Sequence, residues 1–219
     1  MKVLVTAGPT REFLDPVRFI SNRSSGKMGY AVARAARQAG HAVCLISGPV
    51  ALAPPTGMRV VPVTTAAEML AAVRRRVRGC DLLVMAAAVA DWRPKQAARH
   101  KLKKRAGAPR IAWEATPDIL KTVAPLKKRV QVFCGFAAET NHLAREARRK
   151  LREKNLDAIA ANDVSKKDRG FEAAHNALTV FGADGRVVRL PLAKKIICAR
   201  RLVRLLEEIF AQKKSGKIF

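Results

Sequence analysis

The sequence predicts an α/β fold: a Rossmann-like three-layer α/β/α sandwich with a mainly parallel sheet and a C-terminal β-hairpin extension. Two observations carry this. Short apolar runs alternate with segments of helical periodicity, the pattern of strand–helix–strand units. In the last third, alternating runs at 176–181 and 186–190 flank Ala183-Asp184-Gly185, a hairpin signal.

The predicted strands are 2–7, 42–46, 59–63, 81–87, 130–136 and 158–161. The first leads through the Gly8-Pro9-Thr10 turn and a polar stretch to a helical pattern at 30–36. In 66–78, Met69, Leu70, Val73 and Val77 keep helical spacing, and Thr65 with Glu68 reads as a capping box. In 116–123, Thr116 can cap and Pro117 suits the first helical position. In 141–154, Leu143, Ala147 and Leu151 share one face, and Lys150 and Lys154 lie together on another. The last helix carries Leu192, Ile196, Ala199, Val203, Leu206 and Phe210. One domain is expected over 1–212, with 213–219 as a flexible basic tail. The longest unpatterned stretch, 89–110, has the length of a functional or disordered loop.

Composition bounds the partners. The 219 residues can bury one substantial core. No apolar run approaches the ~20 residues of a membrane span, and no signal-peptide pattern opens the chain. Cys44, Cys80, Cys134 and Cys198 lack metal-ligand spacing and read as reduced core residues of a cytoplasmic protein. The net charge of +26 implies anionic partners, either nucleic acid or phosphorylated small molecules. Aromatics are only 5% and none interleave with the basic runs, which argues against a stacking platform for single strands. The basic residues are also spread widely, as on a solvated surface.

The chemistry gathers after the strands. Asp15-Pro-Val-Arg-Phe-Ile-Ser-Asn-Arg-Ser-Ser-Gly-Lys-Met-Gly29 joins a strand to a helix start, where unpaired N–H groups can hold phosphate. Ser24 and Ser25 add hydroxyls, and Gly26 allows close approach of an anion. The bland reading is an ordinary βα loop. Neither a Walker A loop nor the Gly-x-Gly-x-x-Gly fingerprint is present. Asp91 follows a buried strand, where it can accept from a nucleobase amine or a ribose hydroxyl, or simply cap a helix. Lys101-Leu-Lys-Lys104 can close over a triphosphate, or be a solvated charge run. Phe136 can pack on a flat ring or fill core, and 160–165 brings polar groups to the same edge. The histidines lack zinc-site spacing, and no Gly-x-Ser-x-Gly elbow occurs.

Together Thr6-Ala-Gly-Pro-Thr-Arg-Glu12, the run from Asp15 to Gly29, Ala86-Ala-Ala-Val-Ala-Asp91, Lys101-Leu-Lys-Lys104, Pro117-Asp118, Gly135-Phe-Ala-Ala-Glu-Thr140 and Ala161-Asn-Asp-Val-Ser165 resemble bacterial phosphopantothenoylcysteine synthetase, over about residues 1–210. The resemblance implies a ligase of coenzyme A synthesis joining 4′-phosphopantothenate to L-cysteine. CTP would activate the carboxylate as an acyl-cytidylate with loss of pyrophosphate, and the amine of cysteine would displace CMP. It implies Asn22 as hydrogen-bond partner of the carboxylate and the acyl-cytidylate, and Lys101 as the charge that neutralises triphosphate and leaving group. Met85, Ala86, Ala87 and Asp91 would read cytosine and ribose. Pro117, Asp118, Ile119 and Leu120 would line the nucleotide pocket, completed by Phe136, Lys150 and Lys154. Gly8, Pro9 and Thr10, and Ser24, Ser25 and Gly26, would hold phosphate groups. Mg²⁺ would accompany CTP, held mainly by phosphate oxygens and water, with no protein ligands marked. Relatives of this type are homodimers with shared sites, and the 89–110 loop and the 176–190 hairpin are the candidates for lid and dimer contact.

One departure from the family is visible. Most bacterial relatives carry an N-terminal flavin-dependent decarboxylase domain, whereas this chain starts at the first synthetase strand, so no flavin is expected. The +26 charge is no part of the family's pattern. The alternative from another class is a basic nucleic-acid-binding protein on a nucleotide-binding fold. An NAD(P)-linked reductase is disfavoured by the missing glycine fingerprint.

Overall fold

The computed structural model describes residues 1–165, 170 and 172–216. Its strands, in chain order, begin with β1 (Lys2–Ala7), β2 (Arg11–Phe13), β3 (Phe19–Ser21), β4 (Ala42–Ser47), β5 (Arg59–Pro62) and β6 (Leu82–Met85). They continue with β7 (Trp92–Pro94), β8 (Trp113–Ala115), β9 (Val132–Glu139), β10 (Ala158–Asp163), β11 (His175–Gly182) and β12 (Val187–Lys194). Eight of them form one sheet in the order β12-β11-β10-β9-β6-β1-β4-β5. The six strands from β10 to β5 pair in parallel, and β11 and β12 extend that edge antiparallel, as the hairpin signal predicts.

The helices are α1 (Lys27–Gln38), α2 (Ala66–Val77), α3 (Ile119–Val123), α4 (Leu143–Glu153) and α5 (Lys195–Lys214). Strand alternation divides the apolar residues between two layers. Val3, Val5, Leu82, Val84, Cys134 and Ala160 pack with α1 and α5. Leu4, Leu83, Phe133, Ile159 and Ala161 pack with α2, α3 and α4. This is the three-layer sandwich the sequence predicts. Gly29 lets α1 lie directly on β1, since a Cβ there would come within 2.5 Å of the Ala7 Cβ. The predicted cap of α2 is present: the Thr65 hydroxyl accepts from the Glu68 N–H at 3.2 Å, and Glu68 Oε2 accepts from the Thr64 N–H at 2.8 Å.

Four expectations change. The helix predicted from 116 begins at Ile119, and Asp118 caps it, accepting from the Lys121 N–H at 3.1 Å. A residue before proline avoids the helical region, and Thr116 instead donates its hydroxyl to Ala90 O. Leu192 lies in β12, not on the last helix. The tail does not begin at 213: α5 runs through Lys214, and Lys213 Nζ donates to Asp157 Oδ1 at 2.6 Å and to Gln131 O at 2.9 Å. Residues 217–219 lie outside the described residues. Finally, the unpatterned stretch 89–110 is entered through β7, which pairs with β8 as a hairpin. Among the described residues no helix is long and apolar enough to cross a membrane.

Candidate functional site

The predicted motifs converge at the carboxyl ends of the parallel strands, around a cavity of about 650 Å³. The segment after β6 forms its floor. It is laced to the segment after β1: the Thr6 hydroxyl accepts from the Ala87 N–H at 3.2 Å, the Ala88 N–H donates to Gly8 O at 2.9 Å, and Thr10 Oγ1 accepts from the Ala90 N–H at 3.0 Å. Asn22, beyond β3, closes one side, its Nδ2 donating to Ala88 O at 3.2 Å and Val89 O at 3.0 Å. Asp91 follows on the wall, exposed, and its carboxylate makes no hydrogen bond or ion pair among the described residues.

The structure brings Asn22, Ser24, Gly26, Met85, Ala86, Ala87 and Asp91 onto one cavity wall. Pro117, Asp118, Ile119 and Leu120 line the opposite side with Phe136, Lys150 and Lys154. Two of those cations are partnered: Lys150 Nζ lies 2.6 Å from Glu139 Oε1, and Lys154 Nζ lies 3.0 Å from Asp118 Oδ2. Gly26 sits at the start of α1 with φ 74°, a left-handed conformation natural to glycine, and no side chain caps the helix. The first N–H groups of α1 therefore open toward the cavity, as an anion site requires.

Other predicted positions lie elsewhere. Gly8, Pro9 and Thr10 are buried and do not line the cavity. The turn is engaged with residues 88–90 through Gly8 O, the Thr10 N–H and Thr10 Oγ1, and so supports the floor. Ser25 is outside the cavity wall. Lys101 is exposed on the 89–110 loop, also off the wall. That loop is tied down beside it. The Ala98 N–H donates to Leu14 O at 2.9 Å, the Leu102 N–H to Asp15 Oδ2 at 3.1 Å, and Arg18 Nη2 to Leu102 O at 2.6 Å. Burial would push the Asp15 carboxyl up, but the Arg18 guanidinium and the N–H groups of Leu102, Val17 and Arg18 together hold it far below the usual carboxylate range.

The sequence reading missed a group at the far end of the cavity: Lys27, Met28, Asn162, Asn176 and Lys195. Asn162 falls in the recognised run 161–165, but its orientation is a property of β10. Asn176 and Lys195 read as ordinary strand and helix residues. Burial pushes the Cys80 and Cys134 thiols up to about 12 and raises that of Cys198, so these three offer no nucleophile. Among the described residues no three His, Cys, Asp or Glu side chains cluster as metal ligands. The carboxylates on the cavity wall are Asp91 and Asp118, the latter already paired with Lys154. That donor set does not fit a divalent cation caged by the protein itself.

The site has recognisable relatives. A family model for the DNA/pantothenate metabolism flavoprotein C-terminal domain matches residues 1–210. The coenzyme A biosynthesis bifunctional protein CoaBC of Bacillus subtilis (strain 168) is 46% identical over 213 residues, 97% of this chain and 52% of that protein. The chain thus spans about half the length of the curated relatives it matches. Among solved structures, the C-terminal domain of a CoaBC superposes with a TM-score of 0.82 at 43% identity, covering 96% of each chain. The DNA/pantothenate metabolism flavoprotein of Streptococcus pneumoniae gives 0.80 at 25% identity, covering 95% of this chain and 99% of the other. With its fold, its motifs and these relatives in agreement over nearly its whole length, the chain belongs to the DNA/pantothenate metabolism flavoprotein C-terminal domain family.

Proposed function

We propose that this chain catalyses the ligation of 4′-phosphopantothenate to cysteine in coenzyme A biosynthesis, with CTP as activating nucleotide. The observation that carries the reading is the convergence of Asn22, Asp91 and the uncapped start of α1 on one cavity, in a chain 46% identical to a CoaBC protein. A carboxylate is a poor acyl donor. Its oxygen attacks the α-phosphorus of CTP, the bond to pyrophosphate breaks, and the mixed anhydride leaves an electrophilic acyl carbon. The cysteine nitrogen then attacks that carbon, the C–O bond to CMP breaks, and the nitrogen gives up its proton to water.

Asn22 holds the carboxylate by turning an Nδ2 hydrogen from the Ala88 or Val89 carbonyl to the ligand. Met85, Ala86, Ala87 and Asp91 read cytosine and ribose, beside Pro117, Asp118, Ile119 and Leu120, with Phe136, Lys150 and Lys154 completing the pocket. The pairing of Lys150 with Glu139 and of Lys154 with Asp118 makes this end nearly neutral, which suits an uncharged base. The start of α1 with Ser24 and Gly26 holds phosphate. Lys101 reaches the triphosphate when the lid closes and offsets charge on the leaving group. Mg²⁺ enters with the nucleotide, on its phosphate oxygens.

A homodimer completes the reading. Phe13, Val17, Phe19, Trp92 and Trp113 are large apolar residues left exposed on or beside the β2–β3 and β7–β8 hairpins. This favours those two hairpins over the 176–190 hairpin as the contact, since they gather five such residues, compared with Val187 and Leu192 on β12. The deciding experiment is pyrophosphate release by the purified chain with CTP and phosphopantothenate, with and without cysteine. Release without cysteine and product only with all three substrates is expected. No turnover with any nucleotide refutes the ligase, and equal turnover with ATP refutes the cytidine preference.

A further inference from the structure

Asp91 stands exposed on the cavity wall, and its carboxylate makes no hydrogen bond or ion pair among the described residues. It is therefore aimed by the main chain beneath it. A side chain leaves its Cα in a direction set by the two peptide planes that meet there, because each plane is rigid and only φ and ψ turn between them.

Both planes at Asp91 are held by one residue. The Thr116 hydroxyl donates to Ala90 O, which belongs to the plane before Asp91. The Thr116 N–H donates to Asp91 O at 2.9 Å, which belongs to the plane after it. The plane one step earlier is held by Thr10, whose Oγ1 accepts from the Ala90 N–H at 3.0 Å. Ala90 itself is only 6% exposed, so its carbonyl has little water to turn to if the threonine hydroxyl is lost.

The sequence prepares Thr116 for this place. It follows β8, whose Ala115 pairs with Trp92 of β7, so it stands at the base of that hairpin beside Asp91. It precedes Pro117, which keeps it out of the helical region and in the extended conformation that one more rung requires. Pro117 and Asp118 then begin the opposite wall. Thr116 thus ties the wall that carries Asp91 to the wall that faces it.

We propose that Thr116 is a positioning residue of the nucleotide pocket: its hydroxyl and its N–H lock the main chain on both sides of Asp91 and aim that carboxylate at the nucleotide. The role of Asp91 as a nucleotide contact rests on the ligase reading; the lock rests on the two hydrogen bonds. A residue that acts this way changes nucleotide binding only through Asp91.

The test is calorimetric titration of CTP onto the full chain, arranged as a double-mutant cycle. Thr116→Val keeps the N–H and the branched shape and removes the hydroxyl. It is expected to bind CTP about fivefold more weakly, the scale of one hydrogen bond between uncharged groups. Thr116→Ser keeps the hydroxyl and should bind CTP as the parent does. In an Asp91→Ala background, Thr116→Val should weaken CTP binding no further. A side chain that only supports the fold would instead cost the same in both backgrounds. Thr116→Ala removes the same hydroxyl without setting a methyl against Ala90 O, and takes the place of the valine variant in the cycle if that one does not fold. Unchanged CTP affinity without the hydroxyl, or an equal loss with and without Asp91, overturns the proposal and leaves the ligase reading standing. A parent chain that binds no CTP overturns both.

Discussion

Replacing Asp157 by asparagine would break the buried ion cluster that fastens the end of α5 to the sheet. The carboxylate takes Lys127 Nζ at 2.8 Å on one oxygen and Lys213 Nζ at 2.6 Å on the other, and also accepts from the Phe133 N–H at 2.6 Å. The three charged side chains are 10% exposed or less. Asparagine keeps the backbone bond and removes the charge, leaving two ammonium groups facing each other out of water. Breaking a buried pair this way costs about 3–5 kcal/mol, a large part of the ~5–15 kcal/mol of a typical domain. With a slope of about 2–3 kcal/mol per M, the urea midpoint should fall by about 1–2 M. The pH dependence gives a second readout. Burial already holds Lys127 below its usual value, with Asp157 pulling it back up. Without Asp157 it falls further. The deficit is then largest where Lys127 is charged and shrinks as pH rises and Lys127 loses its proton. Urea titrations of parent and variant at pH 7 and pH 10 decide it. A deficit under about 1 kcal/mol at pH 7, or one equal at both pH values, would mean that the cluster behaves as a solvated surface pair.

The other predictions concern the site. Gly29→Ala places a methyl within 2.5 Å of the Ala7 Cβ and 2.8 Å of Thr6 O; overpacking of about 1–3 kcal/mol should exceed the ~1 kcal/mol gained in helix propensity, so both the urea midpoint and pyrophosphate release should drop. Asp15→Asn weakens the tether of the lid at Leu102, and tryptic cleavage at Lys103 and Lys104 should quicken about tenfold, while an unchanged rate would show that the loop is held elsewhere. Because the folded-state Asp15 carboxyl is depressed, its stabilisation is present above its unfolded value of ~4 and lost as pH falls through the folded value. Lys101→Gln and Asn22→Ala should each slow turnover by about 10²–10³, and near-normal rates in both would cancel their assigned roles. Light scattering should report a dimer that tightens with added salt, as a +26 subunit must meet its own copy against repulsion; a monomer fully active at low and high salt would refute a shared site.

The sheet strands were legible because their signals are local. The run at 2–7, the capping box at Thr65 and Glu68, and the turn at 183–185 each contain the residues that determine them. The hairpins β2–β3 and β7–β8 were not. Their strands are three residues long, too short for a period, and each is held by pairing with a partner that sequence spacing does not reveal. The same limit governs the site. Asn22 and Asp91 stand in motifs after strands, and Phe136 in a motif within β9, so they could be found. The Gly8–Thr10 turn looked free because its hydrogen-bond partners lie about 80 residues away in the chain. Lys195 looked like any basic residue of an amphipathic helix until strand order placed the start of α5 beside that of α1.

The charge distribution also resolves part of what composition left open. Many basic residues stand on outer helix faces, as do Arg145, Arg149 and Arg152 on α4 and Arg200, Arg201 and Arg204 on α5. Some are tied locally, as Arg149 is to Glu146 at 3.0 Å and Glu153 at 2.8 Å, and these contribute little to stability. Inside the cavity the charge is graded. At one end Lys150 and Lys154 are neutralised by Glu139 and Asp118; at the other Lys27 donates to the Glu172 carbonyl, which carries no charge to cancel its own. A ligand with a neutral ring and an anionic tail is therefore oriented before any specific contact forms, ring toward α4 and tail toward α1. The outer surface concentrates anions near the protein, and the gradient inside orders them. An added acid at the α1 end should randomise that order, while one on the outer face of α4 should lower only the encounter rate. Lys27→Glu against Arg152→Glu separates the two, since the first should depress turnover at saturating CTP and the second should affect only subsaturating rates at low salt.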